Sequence, residues 1–585
     1  SCLFDYGPFG LTIPASERVG FIGQFDYKIG DETTAFMEVA MQHNTSEAGG
    51  AATPLDEDAG LTVPGTHPDN PFGQDIEIGR YRPVDAGARR WDIESDTLRL
   101  VAGLRGTFND YDWEASVQKG RSRSEQSGDQ SQGWVRVDWL QEQIDLGNYN
   151  PFGGVTNPQS VIDEITTSLV RRGESRMTSV DAHITGEAFD FGDDVVMMAA
   201  GVEYREEQVS DVPDVQFQRG LIFGTESVSA SAERDQYAAY LELSIPLAEE
   251  LELQLAGRYD HYSDFGSTTN PKIALRWAPS DEVTVRGSWA QGFRAPSLAQ
   301  VGLGPSQKSV FFVDQYRCQA TGQDCESLDY NIEFAGNPNL DAEESESWNV
   351  GVIYAPIQEL GLSIDVWSIT QDNKIDEQQF GLVYDAECNN QDSTICVRLD
   401  PQQGESLGVI QKIFNTYQNV SSQKASGVDF SANYSMELQE YGNVRFNLDW
   451  SYMNEFEKDG LEYTGEYGYP EHRWLFGTTW SKGAFDANLN ISFIGEFEDT
   501  PDIDFDGVLD FEENTSRTVD SQMLVDLQFG YNYSDNLRLV IGSNNLLDEE
   551  PPFAIGNGDS DLYGYVGSVH NPRGRFVYSK LTYRF

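Results

Sequence analysis

The sequence has no run approaching the roughly 20 consecutive apolar residues of a membrane-spanning helix, and its mean hydropathy is −0.48, so helical membrane spans are excluded. Basic residues are scarce. Against 39 Lys and Arg stand 96 Asp and Glu, a formal net charge of −57, which argues against a nucleic-acid partner because that would require a basic surface. Acid at this density must mostly face water; its plain reading is a solvated exterior, its sharper one cation capture. Histidine is rare too. The six residues His43, His67, His183, His261, His472 and His570 show no metal-ligand spacing. G-x-S-x-G, H-E-x-x-H, the P-loop and the dinucleotide fingerprint are absent, so nothing points to an enzyme. Linkers are missing as well: no Pro/Ser-rich stretch or composition break divides the 585 residues, which leaves one unusually large domain.

Low hydropathy does not exclude a barrel of strands, in which only alternate residues touch lipid and the average stays polar. What the sequence does contain is period two. Leu251, Leu253, Leu255, Gly257 and Tyr259 alternate with Glu252, Gln254, Ala256 and Arg258. Val444, Phe446, Leu448, Trp450 and Tyr452 alternate with Arg445, Asn447, Asp449 and Ser451, and Phe485 to Phe493 repeats the pattern. Such segments are strands with one greasy and one wet face. A sandwich hides the greasy face against a second sheet, whereas a barrel turns it to lipid and keeps charge around a polar lumen. The 27 Tyr, 32 Phe and 11 Trp suit aromatic girdles at the two membrane interfaces.

The connections favour the barrel. Tight turns (Gly30-Asp31-Glu32, Asn109-Asp110, Gly192-Asp193, Ser280-Asp281, Ser534-Asp535) tend to alternate with long segments near 48–93, 130–174, 297–341, 376–416 and 499–515. Short periplasmic turns and long extracellular loops have this parity. The predicted fold is all-β, a transmembrane antiparallel barrel with about nineteen strands present, from about 17–30 to about 574–585. Single-chain bacterial barrels use even numbers, so roughly three strands are expected before Ser1.

Cysteines number five. Cys318 with Cys325, and Cys388 with Cys396, lie in polar segments and read as loop-stapling disulfides of an oxidising compartment. The alternative, a four-thiolate zinc site, lacks CxxC spacing. Cys2 is left over, with a partner expected upstream of this sequence.

Several segments resemble the barrel of TonB-dependent outer-membrane transporters, over most of the chain. They are Asn270-Pro271-Lys272 through Gly292-Phe293-Arg294-Ala295-Pro296-Ser297; Gly336-Asn337-Pro338-Asn339-Leu340 with Glu343, Glu344 and Ser345; Gly427-Val428-Asp429-Phe430; Asn544-Asn545-Leu546-Leu547-Asp548 with Pro551-Pro552; and Gly574-Arg575 before Tyr583-Arg584-Phe585. The resemblance implies about 22 strands around a lumen closed by an N-terminal plug, which this sequence lacks, with a TonB-contacting segment before it. It also implies an importer that binds a scarce nutrient outside and passes it inward. The partners so implied are the nutrient, the TonB complex through that N-terminal region, and outer-membrane lipid and lipopolysaccharide. Arg294, Pro296 and Arg575 fall where strands leave the membrane and suit rim packing. A passive porin or an outer-membrane hydrolase are the rival readings.

One segment has the spacing of a calcium loop: Asp502, Asp504, Asp506, the Val508 carbonyl, Asp510 and Glu513 converge on one hard cation, with Gly507 at the sharp turn. Calcium, as an ordering ion for an extracellular loop, is the one cofactor expected. Aromatics in the long segments are candidates to face a ligand or to pack between loops: Trp134, Trp139, Phe311, Phe312, Tyr316 and Tyr467. The cluster from Phe311 to Tyr316 is preferred, because the neighbouring Cys318/Cys325 staple lowers the entropy cost of binding.

Overall fold

A computed structural model describes residues 9–584 apart from 10, 12, 57–58, 153–155, 224–226, 326–327, 379, 402–404, 500–516 and 555–563. One sheet of 23 strands dominates. Four of these strands, Ser306–Phe312, Leu328–Ala335, Cys396–Arg398 and Leu461–Glu462, lie in connections. The other nineteen follow one another in chain order, each antiparallel to the next, from Ser16–Lys28 to Phe576–Tyr583. The expected strand count is met. Among the described residues no pairing joins the first of these strands to the last.

Register makes the greasy faces continuous. Leu251, Leu253 and Leu255 stand opposite Trp277, Leu275 and Ile273. Ile273 opposes Trp289, Trp289 opposes Trp348, and Val350 and Val352 oppose Val366 and Ile364. Ile273, Leu275, Trp277, Trp348, Val350, Val352, Ile364 and Val366 are all exposed. A soluble protein rarely leaves more than a few hundred Å² of contiguous apolar surface uncovered, so the medium for this band is hydrocarbon. The opposite parity carries ion pairs: Arg99–Glu38 at 2.6 Å, Arg286–Asp365 at 2.7 Å and Arg538–Asp486 at 2.6 Å. Val350→Arg, near the middle of Glu343–Ile357, is expected to destabilise the barrel by about 2–4 kcal/mol, against about 0.5 kcal/mol for Asn349→Arg on the lumen face. Urea unfolding in lipid vesicles measures the difference.

Connections sort by end. At one end lie short turns such as 29–32, 109–110, 192–193, 281–282 and 535–536; at the other lie 51–88, 129–168, 213–229, 295–342, 378–409, 459–471, 495–521 and 545–575, with 263–265 the short exception. The sequence motif from Asn544 to Asp548 marks only a strand ending; the structure continues it into the long connection 545–575. The last strand also begins at Phe576, not at Gly574. Cys2 and Phe585 lie outside the described residues.

Candidate functional site

The long connections fold into a layer over one end of the barrel. Two of them, 51–88 and 129–168, share an apolar core. In the helix Val137–Asp145, Leu140 and Ile144 fall one turn apart and are both fully buried in that core. Beside them Tyr149 donates to Asp85 at 3.0 Å and shares a 2.7 Å hydrogen bond with Tyr81. Burial pushes the Tyr81 hydroxyl up to about 12 and raises that of Tyr149 as well. Both stay protonated as structural donors.

The connections 295–342 and 378–409 build a second unit around the top of the long strand Ile410–Glu437. Ser306–Phe312 pairs with Leu328–Ala335, which runs parallel to 413–416, and Cys396–Arg398 closes the far edge. The result is a four-stranded capping sheet. One face is packed: Tyr330, Ile332, Ile413 and Cys396 are buried with Val383 and Tyr384 of the helix Phe380–Glu387. Both expected disulfides, Cys318–Cys325 and Cys388–Cys396, are formed. At the centre Arg398 and Asp314, both fully buried, pair at 2.6 Å. The remaining guanidinium donors go to the carbonyls of Cys388 and Gly408, so all five N–H groups are used. Asp314 also caps the helix Gln315–Thr321 through the Arg317 amide and accepts from the Tyr384 hydroxyl at 3.0 Å.

The other face of the capping sheet is polar. Asn331, Glu333, Gln411 and Lys412 line a cavity of about 480 Å³, closed opposite by Val137, Gln218 and Phe223 from the neighbouring connections. Lys412 and Glu333, on neighbouring strands of this face, pair at 2.5 Å. Four separate long connections meet here. This is the candidate binding site, and no motif marks it in the sequence; the only signal was its closeness to the cysteine pairs.

The named aromatics scatter. Phe312 packs on Tyr330, Phe380 and Tyr384, and Tyr316 stacks near Tyr384 while its hydroxyl donates to Asp385. Phe311 stands opposite Asp329 in the capping sheet, and its side chain lies outside what is described. Trp134 is 4% exposed, covered by Trp91 and Phe217, and donates to the Arg90 carbonyl at 2.8 Å, so it packs loops and does not face outward. Trp139 lies under the Arg136 guanidinium, 4.0 Å from its ring centre. Tyr467 packs against the small core of Phe497, Val519, Ala554 and Val566. The calcium-loop residues Asp502, Asp504, Asp506, Val508, Asp510 and Glu513 lie outside the described residues. Rim packing describes Arg294, which pairs with the fully buried Glu343, and Arg575, which donates to the Leu546 carbonyl.

A family model described as TonB dependent receptor-like, beta-barrel, matches residues 43–546. The chain belongs to the TonB-dependent receptor family. This receptor is thus a barrel of the bacterial outer membrane and not an enzyme, and its long connections are the cell-surface ones. It superposes on the siderophore receptor PirA of Acinetobacter baumannii with a TM-score of 0.62 at 14% identity, covering 97% of this chain and 71% of that one. A mutant ferric enterobactin receptor of Pseudomonas aeruginosa gives 0.62 at 15%, covering 97% and 69%. These likenesses speak to the fold. Among curated relatives, the vitamin B12 transporter of Vibrio cholerae is 22% identical over 365 residues, 62% of this chain and 44% of that protein. An iron-regulated outer membrane virulence protein of the same species is 30% identical over 105 residues, 18% of this chain and 15% of that protein. The receptor therefore matches less than half the length of these curated relatives.

His570, in the 545–575 loop, is 3% exposed and stacks on Phe497 with ring centres 5.6 Å apart. Neither ring nitrogen has a hydrogen-bond partner among the described residues. Burial, helped by the Arg473 charge, pushes its pKa down to about 4. Below about pH 6.5 the unfolded loop takes up a proton that the folded loop refuses, so loop stability falls with pH and the loss levels off below about 4. The slope approaches about 1.4 kcal/mol per pH unit. Amide exchange of 564–573 is expected to quicken between pH 6.5 and 4 in the native receptor and to lose that dependence in His570→Phe.

Proposed function

We propose that the receptor binds a scarce nutrient at the cell surface and imports it to the periplasm with TonB-coupled energy. The observation that carries this reading is a stapled, internally packed loop layer with a ligand-sized cavity at the cell-surface end of a lipid-facing barrel. A passive porin needs no such layer. The relatives named as a vitamin B12 transporter and as siderophore receptors support an importer in general and leave its cargo open. The test is uptake by cells carrying the receptor, with and without TonB. Uptake is expected to collapse when TonB is deleted or the proton gradient is dissipated; undiminished uptake means a passive channel.

Calcium is part of the proposal. The described flanks support it: Phe497 and Glu498 pair with Val519 and Thr518, and Asp499 pairs with Arg517 at 3.0 Å, so the residues on either side of 500–516 are held together. A bound Ca²⁺ would offset the mutual repulsion of the carboxylates between them. Chelation with EGTA is expected to speed cleavage within 499–515 by a Glu-specific protease, and restored calcium to reverse it. Equal protease resistance with and without chelator counts against the ion.

A further inference from the structure

We infer that the cavity under the capping sheet takes a net-neutral, polyhydroxylated ligand of the oligosaccharide class. The inference rests on the importer reading and names its cargo. Its first support is charge. Among the described lining residues Lys412 is the one cation and Glu333 the one anion, and they neutralise each other at 2.5 Å. A polyanionic ferric chelate entering this cavity would lose hydration without a compensating cation, and the chain's net charge of −57 opposes its approach.

The second support is the pattern of polar groups. Gln218, Asn331 and Gln411 each carry an amide, of which Gln218 already donates one N–H to the Pro213 carbonyl at 2.9 Å, and Ser306 adds a hydroxyl oxygen whose proton goes to the Phe334 carbonyl at 3.4 Å. Amides, like sugar hydroxyls, both donate and accept. A carboxylate held beside an ammonium completes the set, one acceptor for vicinal hydroxyls and one donor for ring or hydroxyl oxygens. At about 480 Å³ the space lies within the ~300–1,000 Å³ usual for ligand sites. The sheet bearing Asn331, Glu333 and Lys412 is held from behind by the Arg398–Asp314 pair and both staples, so little ordering is left for the ligand to impose.

The test is binding of neutral oligosaccharide mixtures, from partial hydrolysis of starch, cellulose and xylan, to the purified receptor in detergent. Native mass spectrometry and calorimetry read it, with a ferric tris-catecholate complex as the polyanionic comparator. At least one neutral mixture is expected to bind saturably and insensitively to salt, and the ferric complex not to bind. Glu333→Gln and, separately, Asn331→Ala are expected to weaken sugar binding at least tenfold while both disulfides still form. Binding of the ferric complex in preference, no binding from any of the three mixtures, or binding that both substitutions leave unchanged would overturn the inference. Energised uptake of the ferric complex would sink the cargo class and keep the importer. Sugar binding without TonB-dependent uptake would do the reverse.

Discussion

Arg398→Ala is expected to unfold the capping sheet while the barrel below it stays intact. The substitution strands the Asp314 carboxylate, fully buried, together with the carbonyls of Cys388 and Gly408. Removing one partner of a buried pair costs about 3–5 kcal/mol, because the other charge stays in a medium that cannot solvate it. That exceeds what a small loop unit can lose. The two disulfides limit the damage: each closes a short local loop, so 315–325 and 388–398 remain tethered even when the sheet opens. Hydrogen exchange should show deprotection of 328–335 and 410–416 and unchanged protection of the barrel strands. Arg398→Lys keeps the charge but loses the fork, and it should fall between native and alanine. Ligand binding in the cavity is expected to vanish with the sheet.

The second large effect lies in the barrel wall at Gly351. This residue stands directly opposite Arg286 on one neighbouring strand and Asp365 on the other, and the two side chains meet across it with N–O distances of 2.7 and 2.9 Å. A Cβ at Gly351 would come within 2.0 Å of Asp365 Oδ1 and 3.1 Å of Arg286 Nε. Gly351→Ala therefore breaks the bridge. The expected loss is about 1–3 kcal/mol, since Arg286 is half exposed to the lumen and water recovers part of the interaction. A double-mutant cycle with Asp365→Ala checks the cause: once the carboxylate is gone, the alanine should cost little, and a fully additive pair would show that the bridge is not what glycine protects.

The barrel was legible because its physics repeats along the chain. Leu251 to Tyr259 and Val444 to Tyr452 state their two faces residue by residue, and register then has little freedom, since a slip of one would turn every greasy side chain inward. The disulfides were legible from spacing and polar surroundings. The site was not. Asn331, Glu333 and Lys412 are ordinary polar residues whose meaning comes from long-range pairing: Glu333 and Lys412 are 79 positions apart, brought together by the parallel contact of 332–335 with 413–416. Trp134 shows what a sequence leaves open: a tryptophan in a polar loop can face a ligand or pack between loops, and Trp91 and Phe217 from distant positions enclose this one. Long loops that fold on each other have their own cores, and aromatics fill those cores before they serve any surface.

Nitroxide labels placed singly at 348, 349, 350, 352 and 353, with the receptor in lipid vesicles, measure the medium at each side chain directly. Collision with oxygen should dominate at 348, 350 and 352, and collision with a water-soluble nickel complex at 349 and 353. If the accessibilities do not alternate, or all five positions meet water alike, this sheet is not the wall of a lipid-embedded barrel.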